Sequence, residues 1–136
     1  MATIITTYPG DLRTKAQHVA SGNEIITDAP VDNQGRGEAF SPTDLLSASL
    51  GSCMLTIMGI AARTHSINMD HTRIEITKIM ASNPRRVSAV QIEFFMPERV
   101  YSTKERAILE NAARTCPVAL SLHPDLKQEL TFHWME

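Results

Sequence analysis

Two side chains in this 136-residue sequence can act as nucleophiles that change oxidation state: Cys53 and Cys116, its only cysteines. A thiol reacts as its thiolate, which forms near neutrality where a cation or a helix N-terminus lowers its pKa. No Arg, Lys or His stands beside Cys53 in the chain. Cys53 falls with Leu46, Leu50, Ile57 and Ile60 at helical spacing, on an apolar stripe. Two readings of it stay open: a small buried hydrophobe, or a thiol activated by a group from elsewhere in the fold. Cys116 precedes Pro117, and proline is favoured at the first position of a helix. It therefore occupies an N-cap-like position, where backbone N–H groups and the helix dipole would stabilise thiolate. The alternative is an incidental small residue at a helix break. No Cys-x-x-Cys is present, and His18, His65, His71, His123 and His133 lack zinc-ligand spacing, so no metal is expected. There is no phosphate loop, dinucleotide fingerprint or serine elbow either.

The elements that must carry these thiols can be read from local signals. Ser41-Pro42-Thr43-Asp44 reads as a helix start, with Ser41 as N-cap, Pro42 at the first helical position and Asp44 at the third. The helix should run to about Thr64, apolar on nearly every face and so enclosed on most sides. Its small residues are spaced by four, Ser47 with Gly51 and Ala48 with Ser52, a shallow face that a partner subunit could cover. The uncharged stretch Leu45–Ala62 approaches the length of a membrane span, but its Ser, Thr and Gly content and the flanking Asp44 and Arg63 favour a core helix.

Before this helix, Asp11–Asp28 reads as a hairpin turning at Ser21-Gly22-Asn23. After it come two strands, His71–Ala81 with a phase shift near Ile79, and Val87–Met96 with Val90, Ile92 and Phe94 on one face. Ser102-Thr103-Lys104-Glu105 is a capping box that opens a second helix. Pro117 ends that helix and opens a short third one, Val118–Leu122. Lys127–Trp134 alternates as a last strand. The expected order is β-β-α-β-β-α-α-β, an α+β single domain over residues 1–136 with its strands, an antiparallel sheet, on a long buried central helix.

Composition bounds the function. Hydrophobic residues make up 43% and charged residues 21%, as in ordinary globular proteins. The formal net charge is −2 and the pI about 6.2, which argues against nucleic-acid binding. Two cysteines are too few for a secreted disulfide framework, and the N-terminus lacks signal-peptide character. A cytoplasmic protein with reduced thiols, not engaged with a membrane, is expected. Taken singly, Arg13 and Arg36 read as solvated surface charges, and Arg85 and Arg86 as turn residues.

The pattern Phe40-Ser41-Pro42-Thr43-Asp44-Leu45-Leu46, then Leu50-Gly51-Ser52-Cys53, then Cys116-Pro117-Val118-Ala119-Leu120-Ser121-Leu122 resembles the OsmC/Ohr family, the osmotically inducible and organic-hydroperoxide-resistance proteins. The resemblance implies an intertwined homodimer with active sites at the subunit interface, and an antioxidant, stress-response peroxidase that needs no cofactor. By it, Cys53 is the peroxidatic thiolate that attacks an organic hydroperoxide and becomes a sulfenic acid. Cys116 is the resolving thiol that forms the disulfide, and an external dithiol reduces the pair. Two features depart from the Ohr pattern. Thr43 stands where those proteins carry glutamate, with Asp44 one position later. The hairpin turn Val19–Asn23 lacks the family's activating arginine, so Arg13 is the nearest candidate and Arg36 a weaker one. The nine residues from Asp44 to Cys53 rise about 13 Å on a straight helix, so Asp44 would have to act through an arginine or across the interface. The other reading of the same fold is a dimer without catalysis that binds an apolar small molecule in its interface pocket.

Overall fold

The structure, a computed structural model, describes residues 1–134. The chain falls into two compact units, the first from Met1 to Leu46 and the second from Ser47 onward.

The N-terminal unit is a three-stranded antiparallel sheet of β1 (Ile4–Gly10), β2 (Arg13–His18) and β3 (Glu24–Asp28), in that order. The expected hairpin is β2–β3, and Gly22 supplies a positive φ of 76° at its turn. The expected order is corrected by one strand, β1. Its β-branched run Ile4-Ile5-Thr6-Thr7 has no apolar/polar alternation, and Pro9 within the strand has no N–H to give the ladder. The pairing with β2 is irregular between Thr7 and Gly10 for that reason. A 3-10 turn, Val31–Asn33, leads toward the helix start.

Helix α1 (Pro42–Thr64) begins within the first unit and continues through the second. It opens with a reciprocal cap. The Ser41 hydroxyl accepts from the Asp44 N–H at 3.1 Å, and the Asp44 carboxylate accepts from the Ser41 N–H at 3.0 Å. Its buried residues are Ser47, Leu50, Gly51, Met54, Met58 and Ala62. The expected stripe is thus rotated: Leu50 lies on it, Cys53 and Ile57 flank it, and Ile60 is exposed. The helix is enclosed along this stripe rather than on most sides. Gly51 meets β4 (Arg73–Ala81), where an added Cβ would lie 2.6 Å from Ile76 Cδ1 and 2.8 Å from Ile74 Cδ1. At Gly51 the chain's own sheet packs against the small-residue face. By length and composition α1 could cross a membrane, yet Leu50, Met54 and Met58 are fully buried in the core of this chain.

The second sheet has the order β4, β5 (Arg86–Phe95), β6 (Lys127–His133). The β4–β5 pair is antiparallel with a register shift between Ile79 and Met80, where the sequence changes phase. The β5–β6 pair is parallel, which corrects the expectation of a wholly antiparallel sheet. The reason is the connection: α2 (Thr103–Arg114) and α3 (Pro117–Ser121) form a crossover that returns the chain to the same end of the sheet. Val90, Ile92 and Phe94 face the core with Leu109, Ala112 and Ala113 of α2. Helix α2 carries the expected capping box. Ser102 Oγ accepts from the Glu105 N–H at 3.1 Å, and Glu105 Oε1 accepts from the Ser102 N–H at 2.8 Å.

Candidate active site

Both thiols belong to the second unit and both are free. Cys53 sits mid-way along α1, half-buried beside the core stripe. Cys116 is fully buried at the N-cap of α3. Local chemistry puts it there. Thr115 ends α2, its hydroxyl donating to the Asn111 carbonyl at 2.8 Å. Pro117 then starts α3 at a position where its missing N–H costs nothing. Gln128 of β6 donates to the Ala119 carbonyl at 3.0 Å and pins α3 to the sheet.

The Cys116 sulfur accepts a hydrogen bond from the Ala119 N–H at 3.4 Å. Cys53 packs against the core in which Cys116 is buried and is a titrating neighbour of it, so the fold brings the two cysteines near one another. Burial pushes the Cys116 thiol above its ordinary pKa, and its neighbour Cys53 pushes it further. The N–H groups of Ala119 and Val118 pull the other way and do not win. The expected thiolate-stabilising cap is present, but desolvation outweighs it, because a five-residue helix offers few aligned dipoles. At neutral pH Cys116 is a protonated thiol beside a more accessible one. Two neighbouring thiols in an apolar setting can be joined by a two-electron oxidation and parted again by a dithiol.

Arg13 and Asp44 belong to the N-terminal unit. Arg13 makes a two-pronged ion pair with Asp28, Nε to Oδ1 at 2.7 Å and Nη2 to Oδ2 at 2.8 Å, and reaches Glu38 at 3.1 Å. It is thus a clamped cation rather than a solvated one. Arg36 pairs with Asp11 at 2.9 Å. Asp44 closes the cap of α1 described above. The residue missed by sequence reading is Asp28, which is 1% exposed and also accepts from the Glu38 N–H at 3.1 Å. Its place comes from the hairpin register: the strands pair about a turn centred between Ala20 and Ser21, slightly before the expected Ser21–Asn23, and this sets Arg13 directly opposite Asp28.

The Arg13 guanidinium holds the Asp28 carboxyl below the usual carboxylate range, against the effect of burial. Its pKa is lower folded than unfolded, so the unfolded chain binds a proton first as pH falls. The stability that Asp28 contributes is complete above about pH 4, the unfolded value, and is lost as pH drops toward the folded value. Denaturation followed from pH 7 to pH 3 is expected to show a loss of stability below about pH 4 that is flatter in Asp28→Asn. Parallel pH profiles of the two proteins would refute this.

An open cavity of about 690 Å³ adjoins the C-terminal half of α1, between Thr56, Ile60, Arg63, Asn68 and Asp70. Cys53 does not line it. Among the described residues no three His, Cys, Asp or Glu side chains gather closely enough to hold a metal ion.

The fold has known counterparts. The model of the family described as OsmC-like protein matches residues 35–131. A crystal structure from Psychrobacter arcticus 273-4, of a protein described as osmotic stress induced and detoxification response, is 57% identical, with a TM-score of 0.93 over 98% of this chain and 96% of that one. An organic hydroperoxide resistance protein OsmC from Legionella pneumophila is 14% identical and shares the fold, with a TM-score of 0.78 over 98% of each chain. One from Elizabethkingia anophelis, with thiocyanate bound, is 17% identical, with a TM-score of 0.69 over 97% of this chain and 96% of that one. Among curated proteins, none matches. With a family match over most of its length and a 57% identical structural relative, the chain belongs to the OsmC-like family.

Proposed function

We propose that the protein is a thiol-dependent peroxidase that reduces organic hydroperoxides. The observation that carries this reading is the pair of free thiols on one core, a half-buried Cys53 packed against the cluster in which Cys116 is fully buried. In the proposed cycle Cys53 attacks the peroxide oxygen and becomes a sulfenic acid, releasing the alcohol. Cys116 attacks the Cys53 sulfur, the disulfide forms and water is released. An external dithiol then exchanges with the disulfide and restores both thiols. The apolar core that holds Cys116 and borders Cys53 favours peroxides with an organic group over hydrogen peroxide. Family members named for organic hydroperoxide resistance support the same chemistry. We place the protein in the cytoplasm, where thiols stay reduced.

We also propose that it works as a homodimer. The N-terminal sheet exposes Ile4, Ile5, Tyr8, Ile25 and Ile26, and Phe40 beyond it is exposed as well. So much apolar surface on one small unit is the mark of an interaction surface, and a second copy of the chain would cover it. Arg13, or Asp44 acting through it, would then serve the thiols within that assembly.

The test is a titration of free thiols before and after one equivalent of an organic hydroperoxide, with mass mapping of the products. The expected result is rapid loss of both thiols to an intramolecular Cys53–Cys116 disulfide, reversed by dithiol. Thiols that persist, or that react no faster than free cysteine, would remove the enzyme and leave a dimer that binds an apolar ligand.

A further inference from the structure

We propose that the open cavity beside the C-terminal half of α1 seats the head of the substrate, a zwitterionic group joined to an apolar chain that carries the hydroperoxide; the substrate assignment rests on the peroxidase reading above. Two opposite charges, Arg63 and Asp70, line this cavity of about 690 Å³. Among the described residues, neither the Arg63 guanidinium nor the Asp70 carboxylate makes an ion pair or a side-chain hydrogen bond. They share the cavity without pairing with each other, which leaves the space between them to a ligand. An anion alone would meet Asp70, and a cation alone would meet Arg63. A head that carries both charges satisfies both groups. Ile60, exposed at the same cavity, gives the apolar wall on which a chain can lie.

The wall of the cavity is built by the end of α1. The Ile67 N–H donates to the Ala62 carbonyl at 2.8 Å and the Ser66 N–H to the Arg63 carbonyl at 3.4 Å, a helix ending whose left-handed position usually belongs to glycine. Ser66 holds that position here, at φ 55°, and brings a hydroxyl to the cavity where glycine would bring none. The loop beyond is fixed in turn. Asn68 Oδ1 accepts from the Asp70 N–H at 2.9 Å, and the Tyr101 hydroxyl donates to the Asn68 carbonyl at 2.8 Å. Cys53, Thr56, Ile60 and Arg63 follow one another at three- and four-residue steps, so they share a face of α1. The cavity thus begins about one turn past Cys53, and Arg63 lies about 15 Å along the axis from it. A head seated between Arg63 and Asp70 sends its chain over Ile60 and Thr56 toward Cys53.

The experiment is calorimetric titration of the full chain with probes that share a dodecyl tail, each below its micelle concentration: dodecylphosphocholine, dodecyl phosphate, dodecyltrimethylammonium and the uncharged dodecyl maltoside. Dodecylphosphocholine is expected to bind about fivefold tighter than any of the others, the upper end for one exposed ion pair. Arg63→Gln should weaken dodecylphosphocholine and dodecyl phosphate by about fivefold, and Asp70→Asn should do the same to dodecylphosphocholine and dodecyltrimethylammonium. Both side chains are exposed, so the variants should fold. Equal affinity for all the probes, or variants that bind dodecylphosphocholine as the native chain does, would overturn the proposal. Turnover is then compared between a hydroperoxide of linoleoyl lysophosphatidylcholine and cumene hydroperoxide, which has no charged head. Arg63→Gln is expected to lower the ratio of the two kcat/KM values by about fivefold, through KM. An unchanged ratio would overturn the substrate assignment. A native chain that binds dodecylphosphocholine but reduces neither hydroperoxide would end the peroxidase reading and the substrate assignment together. One that reduces cumene hydroperoxide but shows no preference among the probes would end this proposal alone.

Discussion

Turnover of organic hydroperoxide by Cys53→Ser is expected to fall by on the order of 10³-fold or more, as when an enzyme loses its covalent nucleophile. A hydroxyl is close to a thiol in size, but near neutral pH it does not ionise and cannot attack the peroxide oxygen. Cys116 cannot stand in for Cys53, because it is fully buried and held protonated. The fold should be indifferent to the change. Cys53 flanks the core stripe of α1 rather than lying on it, so the cost should be under about 1 kcal/mol, or a few degrees in melting temperature. Steady-state turnover with a dithiol reductant and a thermal melt on the same preparation check both halves. Residual turnover above a tenth of the native rate would place the reactive sulfur elsewhere.

The largest effect on stability is expected at Phe94. It is completely buried in β5, the central strand of the second sheet, and stacks on Phe132 of β6 with ring centroids 4.3 Å apart. Phe132 stacks in turn on Trp134 at 5.7 Å, and Arg106 of α2 lies over that indole at 5.3 Å. Phe94 thus joins the core under α1 to an aromatic ladder along β6. Truncation to alanine removes the ring and leaves a cavity that the sheet cannot close without breaking its pairing with Phe132. The expected cost of Phe94→Ala is about 3–5 kcal/mol, read from chemical denaturation with Trp134 fluorescence as the probe. A loss below about 1 kcal/mol would mean that the core does not depend on this stack.

What could be read from the residues in advance was what depends on near neighbours in the chain. The ends of α1 and α2 are visible because a cap is a contract between residues three apart: Ser41 with Asp44, and Ser102 with Glu105. The break at Pro117 is visible because proline has no N–H wherever it stands. The inward faces of β4 and β5 are visible, down to the phase shift at Ile79, because a half-buried strand must alternate. The family resemblance rests on two short motifs of the same local kind, at Phe40–Cys53 and Cys116–Leu122.

Other features exist only once distant segments meet. Strand β1 shows no alternation because its side chains lie exposed, so nothing sorts its two faces. The rotation of the buried stripe to Met54 and Met58 is set by the approach of β4 to Gly51, which an apolar helix alone cannot signal. The parallel pairing of β6 follows from the path of the α2–α3 crossover. The pairing of Arg13 with Asp28 follows from strand register. The state of Cys116 shows the division most plainly. Its sequence position promises a stabilised thiolate through backbone N–H groups. The tertiary structure buries the sulfur against Cys53, and desolvation reverses the sign. Capping is a short-range interaction that adjacent residues specify, whereas burial is a property of everything packed around an atom, which only the folded chain decides.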